Sequence, residues 1–471
     1  MNRRHAAWYF ALGILALAPV GLRVLSWSRP EAEELDQAAV NAGKELFVHE
    51  WAPNDAIARA NGGDGLGPVY NATSCFACHK QGGLGGAGGL EHNVTNFIVA
   101  SAGRHAAQSV LRQGVVHTDA ISPEFLETLT HVDHTLPRIS RPTLASLLPP
   151  GALEGKGVRH QGRMFELIAK ADAPVADAPV PLPDPVEGGQ AQANPNQHFN
   201  IPEHVHLSQR NTPALFGARL IDEIPDRVII AQERLERVRF GMAAPQSREV
   251  PVGRALRDAS GKVGKFGWKG QSSSLLDFVQ AACANELGLS NPAHAQPSSI
   301  ARPEVKAVGL DLTNKQCRDM RDFIASLPQP IERNRDNPHV AEGRQLFTKV
   351  GCADCHTPSL GSVDGIYSDL LLHRMGDDLQ GQGSYHGGST PSIPDSPGNG
   401  PLADEWRTPP LWGIADSGPY LHDGRATTLK QAIEMHGGQA QASARRFGSL
   451  TPVQQIRLIT FLESLRAPEV R

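Results

Sequence analysis

Two pentapeptides constrain this chain more than anything else in it: Cys75-Phe76-Ala77-Cys78-His79 and Cys352-Ala353-Asp354-Cys355-His356. In each, a single helical turn carries two thiols with a histidine directly after them. That is the spacing at which the two sulfurs form thioethers with the vinyl groups of a haem while the histidine coordinates the iron. Tetrahedral zinc would call for a second Cys or His pair nearby in sequence, and neither copy has one. The expectation is therefore two covalently bound c-type haems, attached at Cys75, Cys78, Cys352 and Cys355, with His79 and His356 on the irons.

The motifs stand in a diverged internal repeat. Gly43-x-x-Leu46-Phe47 precedes the first as Gly343-x-x-Leu346-Phe347 precedes the second. Thr212-Pro213-x-Leu215-Phe216-Gly217 matches Thr408-Pro409-x-Leu411-Trp412-Gly413, and Trp268-Lys269-Gly270 with Leu275 matches His422-Asp423-Gly424 with Leu429. At the close, Thr313, Gln316, Phe323, Ser326 and Leu327 match Thr451, Gln454, Phe461, Ser464 and Leu465 at one constant offset. The Thr451 run carries Val453, Ile456, Leu458, Ile459, Phe461, Leu462 and Leu465 at helical intervals, and strand signals are sparse.

The expected fold is thus mainly α, with two tandem cytochrome c-like domains at 36–335 and 336–471. The first is enlarged by long loop insertions, because its stretch from the first Cys to the Thr-Pro motif is roughly 80 residues longer than its counterpart. Part of that excess is the proline-rich segment 173–185, which reads as an extended, solvated linker.

With 45 basic and 49 acidic residues the chain has no charge bias that would favour nucleic acid as a partner. A basic start, Arg3 and Arg4, followed by an apolar run from Ala6 to Leu22, makes residues 1–28 a signal peptide or a membrane anchor. The expected location is periplasmic or otherwise exported, with any membrane contact limited to that anchor.

Asp64-Gly-Leu-Gly-Pro68 running into Asn71-Ala-Thr-Ser-Cys75, Phe266-Gly-Trp-Lys-Gly270, Tyr367 to Gly376, Glu405-Trp-Arg-Thr-Pro-Pro-Leu-Trp-Gly413 and Leu421-His-Asp-Gly-Arg-Ala426 carry a resemblance. From about Gly43 to Leu465 the chain resembles the bacterial dihaem oxidoreductase family often labelled thiol oxidoreductases. That family is distantly similar to the dihaem cytochrome c peroxidases and to the dihaem enzyme that matures methylamine dehydrogenase. The resemblance implies a distal ligand for the second haem at His436, with Met375 as its competitor and His373 as the weakest of the three. Met435 would point about 100° away from His436 on a helix and reads as core.

The repeat aligns Ala282 with His436, so the first haem is the one expected to be open, unless the inserted His204 or His206 closes it. The resemblance also implies Glu286 as the group that moves the peroxide proton, after a two-residue gap, and Trp268 as a relay between the haems. Structural readings stand beside both: a surface charge at a helix end and a packed aromatic. His92, His105, His117, His131 and His134 read as loop or solvent histidines, and Gly82 to Gly89 as backbone passing close to the first haem.

Cys283 and Cys317, left over, are expected to form a disulfide outside the cytoplasm. The family's thiol label has no thiol-handling motif behind it here. Three function classes follow: a peroxidase-like enzyme taking electrons through the second haem, a pure electron-transfer dihaem cytochrome, and an oxidase that matures another protein. Each implies a redox partner protein as donor or acceptor, and the first also a peroxide or similar small oxidant.

Overall fold

The structure, a computed structural model, describes residues 34–99, 112–127, 205–241, 249–258, 260–381 and 400–469. The expected signal or anchor, the proline-rich segment, His105, His131, His134 and His204 lie outside these, as does the side chain of His206. The described residues belong to one compact unit, Glu33–Arg471.

Eleven α-helices occur among them. In chain order they are α1 (Gln37–Val48), α2 (Ala56–Asn61), α3 (Cys75–Cys78), α4 (Ala218–Glu223), α5 (Asp226–Glu236), α6 (Leu275–Leu287), α7 (Asn314–Ser326), α8 (Pro338–Lys349), α9 (Leu429–Glu434), α10 (Gln441–Gly448) and α11 (Pro452–Ser464). The strands are short. A three-stranded antiparallel sheet has Val94–Val99 at its centre, with Phe97 opposite Gly114 on Arg112–Val116 and opposite Leu207 on Val205–Arg210. A two-stranded ladder joins Leu372–Arg374 to Glu405–Arg407, with His373 opposite Trp406.

The internal repeat is legible in the packing. α7 and α11 begin with the same device, a capping box in which Thr313 or Thr451 accepts from the backbone of Gln316 or Gln454 and that glutamine reaches back. α1 buries Val40, Gly43, Leu46 and Phe47 against α7, and α8 buries Val340, Gly343, Leu346 and Phe347 against α11. The ring pairs repeat as well: Phe47 and Phe323 have centroids 5.1 Å apart, Phe347 and Phe461 5.3 Å. Each crossing is so close that a Cβ would collide with backbone, at Gly43 with the Asp319 carbonyl and at Gly343 with that of Arg457. Glycine at these two places is a packing requirement.

The α11 pattern overstates the buried stripe. Leu458, Phe461, Leu462 and Leu465 are buried, but Val453 and Ile456 are 59% and 61% exposed, because the face packed on α8 is narrower than the apolar spacing suggests. The expected boundary at 335/336 falls in the turn ahead of α8. Across it the larger apolar cluster still joins Leu360, Ile366, Leu371 and Trp412 to the residues of α1, α6 and α7. Among the described residues no helix is long and apolar enough to cross a membrane.

Candidate dihaem site

Both Cys-x-x-Cys-His motifs are built alike. Ser74 caps α3 by accepting from the Ala77 amide at 3.2 Å, and the His79 amide closes the turn on the Cys75 carbonyl at 3.0 Å. In the second copy the His356 amide donates to the Cys352 carbonyl at 2.9 Å. The imidazoles are then oriented from behind: His79 Nδ1 lies 3.1 Å from the Gly86 carbonyl oxygen, and His356 Nδ1 lies 3.0 Å from that of Tyr367. A carbonyl oxygen only accepts, so Nδ1 holds the hydrogen and Nε2 keeps its lone pair for a metal.

Burial holds both imidazoles neutral, with pKa values lowered to about 4, and at His356 the neighbouring His436 adds to the effect. Neutral imidazole is the ligating form. Burial pushes the Cys75 and Cys352 thiols up to about 12, and Cys78 and Cys355 upward as well.

Beside each motif is a cavity. The one at Cys352, Cys355 and His356 has a volume of about 290 Å³, and the one at Cys75, Cys78 and His79 about 120 Å³. Both far exceed the roughly 10–15 Å³ that lodges one water, and apolar side chains dominate their walls. Two thiols, a neutral imidazole with its lone pair directed inward and an apolar chamber together fit a haem at each motif.

The two chambers differ in the other residues that line them. His436 and Met375 both line the larger one. His436 Nδ1 is 2.6 Å from the Ala432 carbonyl, so it too keeps Nε2 free, while the Met375 amide donates to the Asp404 carbonyl at 2.8 Å. His373 lines the same wall but is fully engaged, Nε2 with Asp369 at 2.9 Å and Nδ1 with Gln439 at 3.0 Å. Burial opposes its ionisation, yet Cys355 and Asp369 raise its pKa well above the usual histidine value. The donor atoms of Cys355, Asp369 and His373 lie within 4.8 Å of one another, but both ring nitrogens of His373 are already engaged in hydrogen bonds.

The smaller chamber is lined by Ala282 and Glu286, one helical turn apart on α6. Asn71 holds Glu286 from two directions: its Nδ2 donates to Glu286 Oε2 at 2.7 Å and its amide to the Glu286 carbonyl at 2.8 Å. Asn71 Oδ1 accepts the Thr118 amide at 3.1 Å, which fixes the carboxamide's sense. His92, expected in a loop, is on this wall as well.

Trp268 lines both chambers, half-buried, with Nε1 donating to the Asn211 carbonyl at 2.8 Å.

Three sequence expectations fail here. Met435 is 38% exposed rather than core, since only His436 of the pair turns inward at the end of α9. His117 is buried, not solvent-facing, held between Glu127 at 2.9 Å and the Asn285 carbonyl at 3.0 Å. Cys283 and Cys317 are both buried free thiols: Cys283 lines the smaller chamber, and Cys317 is hydrogen-bonded to Gln280. Burial raises Cys283 far above the ordinary thiol value and Cys317 to about 11, so neither is a nucleophile. Sequence reasoning missed Arg407, which is buried in the wall of the larger chamber. Its signal was the charged residue directly before Thr408-Pro409, where the first half has Asn211.

The chain belongs to the dihaem oxidoreductases: residues 174–465 match the family described as "Di-haem oxidoreductase, putative peroxidase". The matched stretch begins after the first haem motif and contains the second. Among curated proteins the chain is similar to the methylamine utilization protein MauG of Methylorubrum extorquens, at 30% identity over 131 residues, 26% of this chain and 34% of MauG. It therefore spans about a third of the length of that relative.

Two solved structures are similar at lower identity. One is the Kuenenia stuttgartiensis hydrazine synthase under xenon, at 19% identity and TM-score 0.30, covering 55% of this chain and 73% of that one. The other is a MauG-like protein associated with microbial copper homeostasis, at 17% and 0.28, covering 51% and 89%. Scores of this size define no common fold.

Proposed function

We propose that the chain is a dihaem c-type cytochrome oxidoreductase with peroxidase-like activity, built as two tandem cytochrome c-like halves. Haem, when bound, supplies one-electron transfer and, where one face of the iron is free, oxidant activation. The chain's own residues do the rest. Cys75, Cys78, Cys352 and Cys355 would tether the two groups, and the Nε2 atoms of His79 and His356, left free by the Nδ1 hydrogen bonds, would ligate them. His436 would close the second, with Met375 as the competing cap.

The observation that carries the reading is the asymmetry of the chambers: His436 shares the second with His356, whereas the position that the repeat aligns with His436 is Ala282 in the first, which has no donor atom, with Glu286 one turn further along the same wall. Glu286 would be the group placed to hold and move a peroxide's proton in that chamber. Asn71 keeps its carboxylate aimed, and Trp268, in both walls, provides a path for electrons between the halves.

The electrons come from a redox partner protein at the second half, and the location is periplasmic, reached through the apolar N-terminal segment with or without retention as an anchor. His92 on the first chamber's wall favours one rival: as a second ligand there it would make both centres six-coordinate, as in a pure electron carrier. Electron-spin spectra of the oxidised protein decide between them, since a high-spin signal beside a low-spin one is expected and two low-spin signals sink the enzyme reading.

Glu286→Gln is expected to keep both signals while lowering peroxide turnover by about 10²–10⁴-fold, the usual worth of a positioned acid–base group. Unchanged turnover would remove Glu286 from the chemistry.

A further inference from the structure

Arg407 is a buried cation with no counter-ion among the described residues. It is 8% exposed, Nε donates to the Gly267 carbonyl at 2.9 Å, and one terminal nitrogen donates to the Thr408 carbonyl at 3.3 Å. Both acceptors are neutral, and among the described residues no carboxylate forms an ion pair with it. Burial pulls its pKa down to about 10, with Asp369 working against that, but the Asp369 carboxylate is already held by His373 and the Leu371 amide.

The other charges of the same ladder are matched. Glu405 takes Arg254 through both oxygens at 2.8 and 2.6 Å, and Asp404 takes Arg374 at 2.9 Å. The nearby buried cations Lys269 and Arg210 lie over the Trp406 ring, at 3.8 and 4.6 Å from its centre. A guanidinium taken out of water without an anion is strongly destabilising, so its presence calls for an anionic occupant of the chamber it lines.

We propose that Arg407 anchors a propionate carboxylate of the C-terminal haem, presenting the free part of its planar fork to it. The inference rests on the dihaem reading above. A guanidinium suits this role because its fixed fork matches a carboxylate's two oxygens, and a haem's propionates are its only charged edge. The position has a second effect. The Arg407 amide donates to the Trp268 carbonyl at 2.9 Å and its Nε to Gly267, so one residue ties the haem edge to the loop that carries the indole shared by both chambers. Arg407 is thus a positioning residue, and its charge favours the ferrous state of the nearby iron.

Redox titration of the two-haem protein tests this. At the wild-type midpoint of the low-spin centre, Arg407→Gln is expected to raise the ferric-to-ferrous ratio about tenfold, which is 59 mV for a one-electron couple. Arg407→Lys, which keeps the charge, should stay within about twofold, and the other centre should not move in either variant. A glutamine chain within twofold of wild type overturns the proposal. If that chain fails to retain both haems, the lysine chain decides by infrared spectroscopy with isotope-labelled propionates. Replacing a fork with a point charge must shift the carboxylate band, and an unmoved band refutes the contact. Haem staining of the wild type separates the two claims: no covalent haem at the second motif removes the dihaem reading and the anchor together, whereas a loaded protein with an insensitive potential removes the anchor alone.

Discussion

Cys352→Ser with Cys355→Ser leaves a protein with one covalent haem and a loosened C-terminal half. The expected mass is lower by a single haem, and limited proteolysis should open first around α8 and α11. The reason is that Phe347, Phe461, Leu429 and Leu462 form a small apolar cluster bordering the chamber of about 290 Å³. With no occupant, that wall loses its contacts outright, and cavity formation of this kind is among the most destabilising of changes. Cys75→Ser with Cys78→Ser should remove the other haem and leave the second half intact. A chain lacking all four thiols that still stains for covalent haem would end the dihaem reading.

His436→Ala is expected to convert the low-spin centre to a high-spin one without altering the second signal. His436 presents Nε2 into the chamber that holds His356, and alanine leaves nothing in its place. The consequence for function is a matter of potential: histidine on both faces holds iron lower than histidine with methionine, because imidazole favours ferric and thioether ferrous iron. A low-potential centre suits an enzyme that stabilises oxidised states. If Met375→Ala gives the spectral change instead, the cap is the thioether and an easily reduced, priming centre follows. Should neither variant alter the low-spin signal, both assignments are wrong.

The repeat and the two Cys-x-x-Cys-His motifs were legible because they are written in short spacings: two thiols and a histidine in one turn, and a threonine cap three residues ahead of a glutamine. Trp268 and Glu286 were reachable only through the resemblance, and the structure brings both to chamber walls. What stayed hidden depends on partners distant in sequence. Periodicity says that Val453 and Ile456 share a helix with Phe461, but not how wide a face α8 covers. Nothing local marks His117 as buried, since Glu127 and the end of α6 enclose it. The cysteine count suggested a disulfide, but pairing is a matter of side-chain direction, and Cys283 lines the smaller chamber.

The two glycine crossings also set an order in time. α1 cannot seat until the chain from Gly43 has reached Asp319, whereas α8 needs only the shorter span from Gly343 to Arg457. That is a little over one doubling of loop length, about 0.6–0.8 kcal/mol more closure entropy for the first half. Contacts of longer separation also form more slowly. Pulse-labelled hydrogen exchange during refolding should accordingly protect α8 and α11 before α1 and α7, and the reverse order would contradict it. The same topology leaves Cys75 and Cys78 without the α1–α7 packing until the chain through Asp319 is in place, so a haem destined for the first motif would meet an open half rather than a finished one.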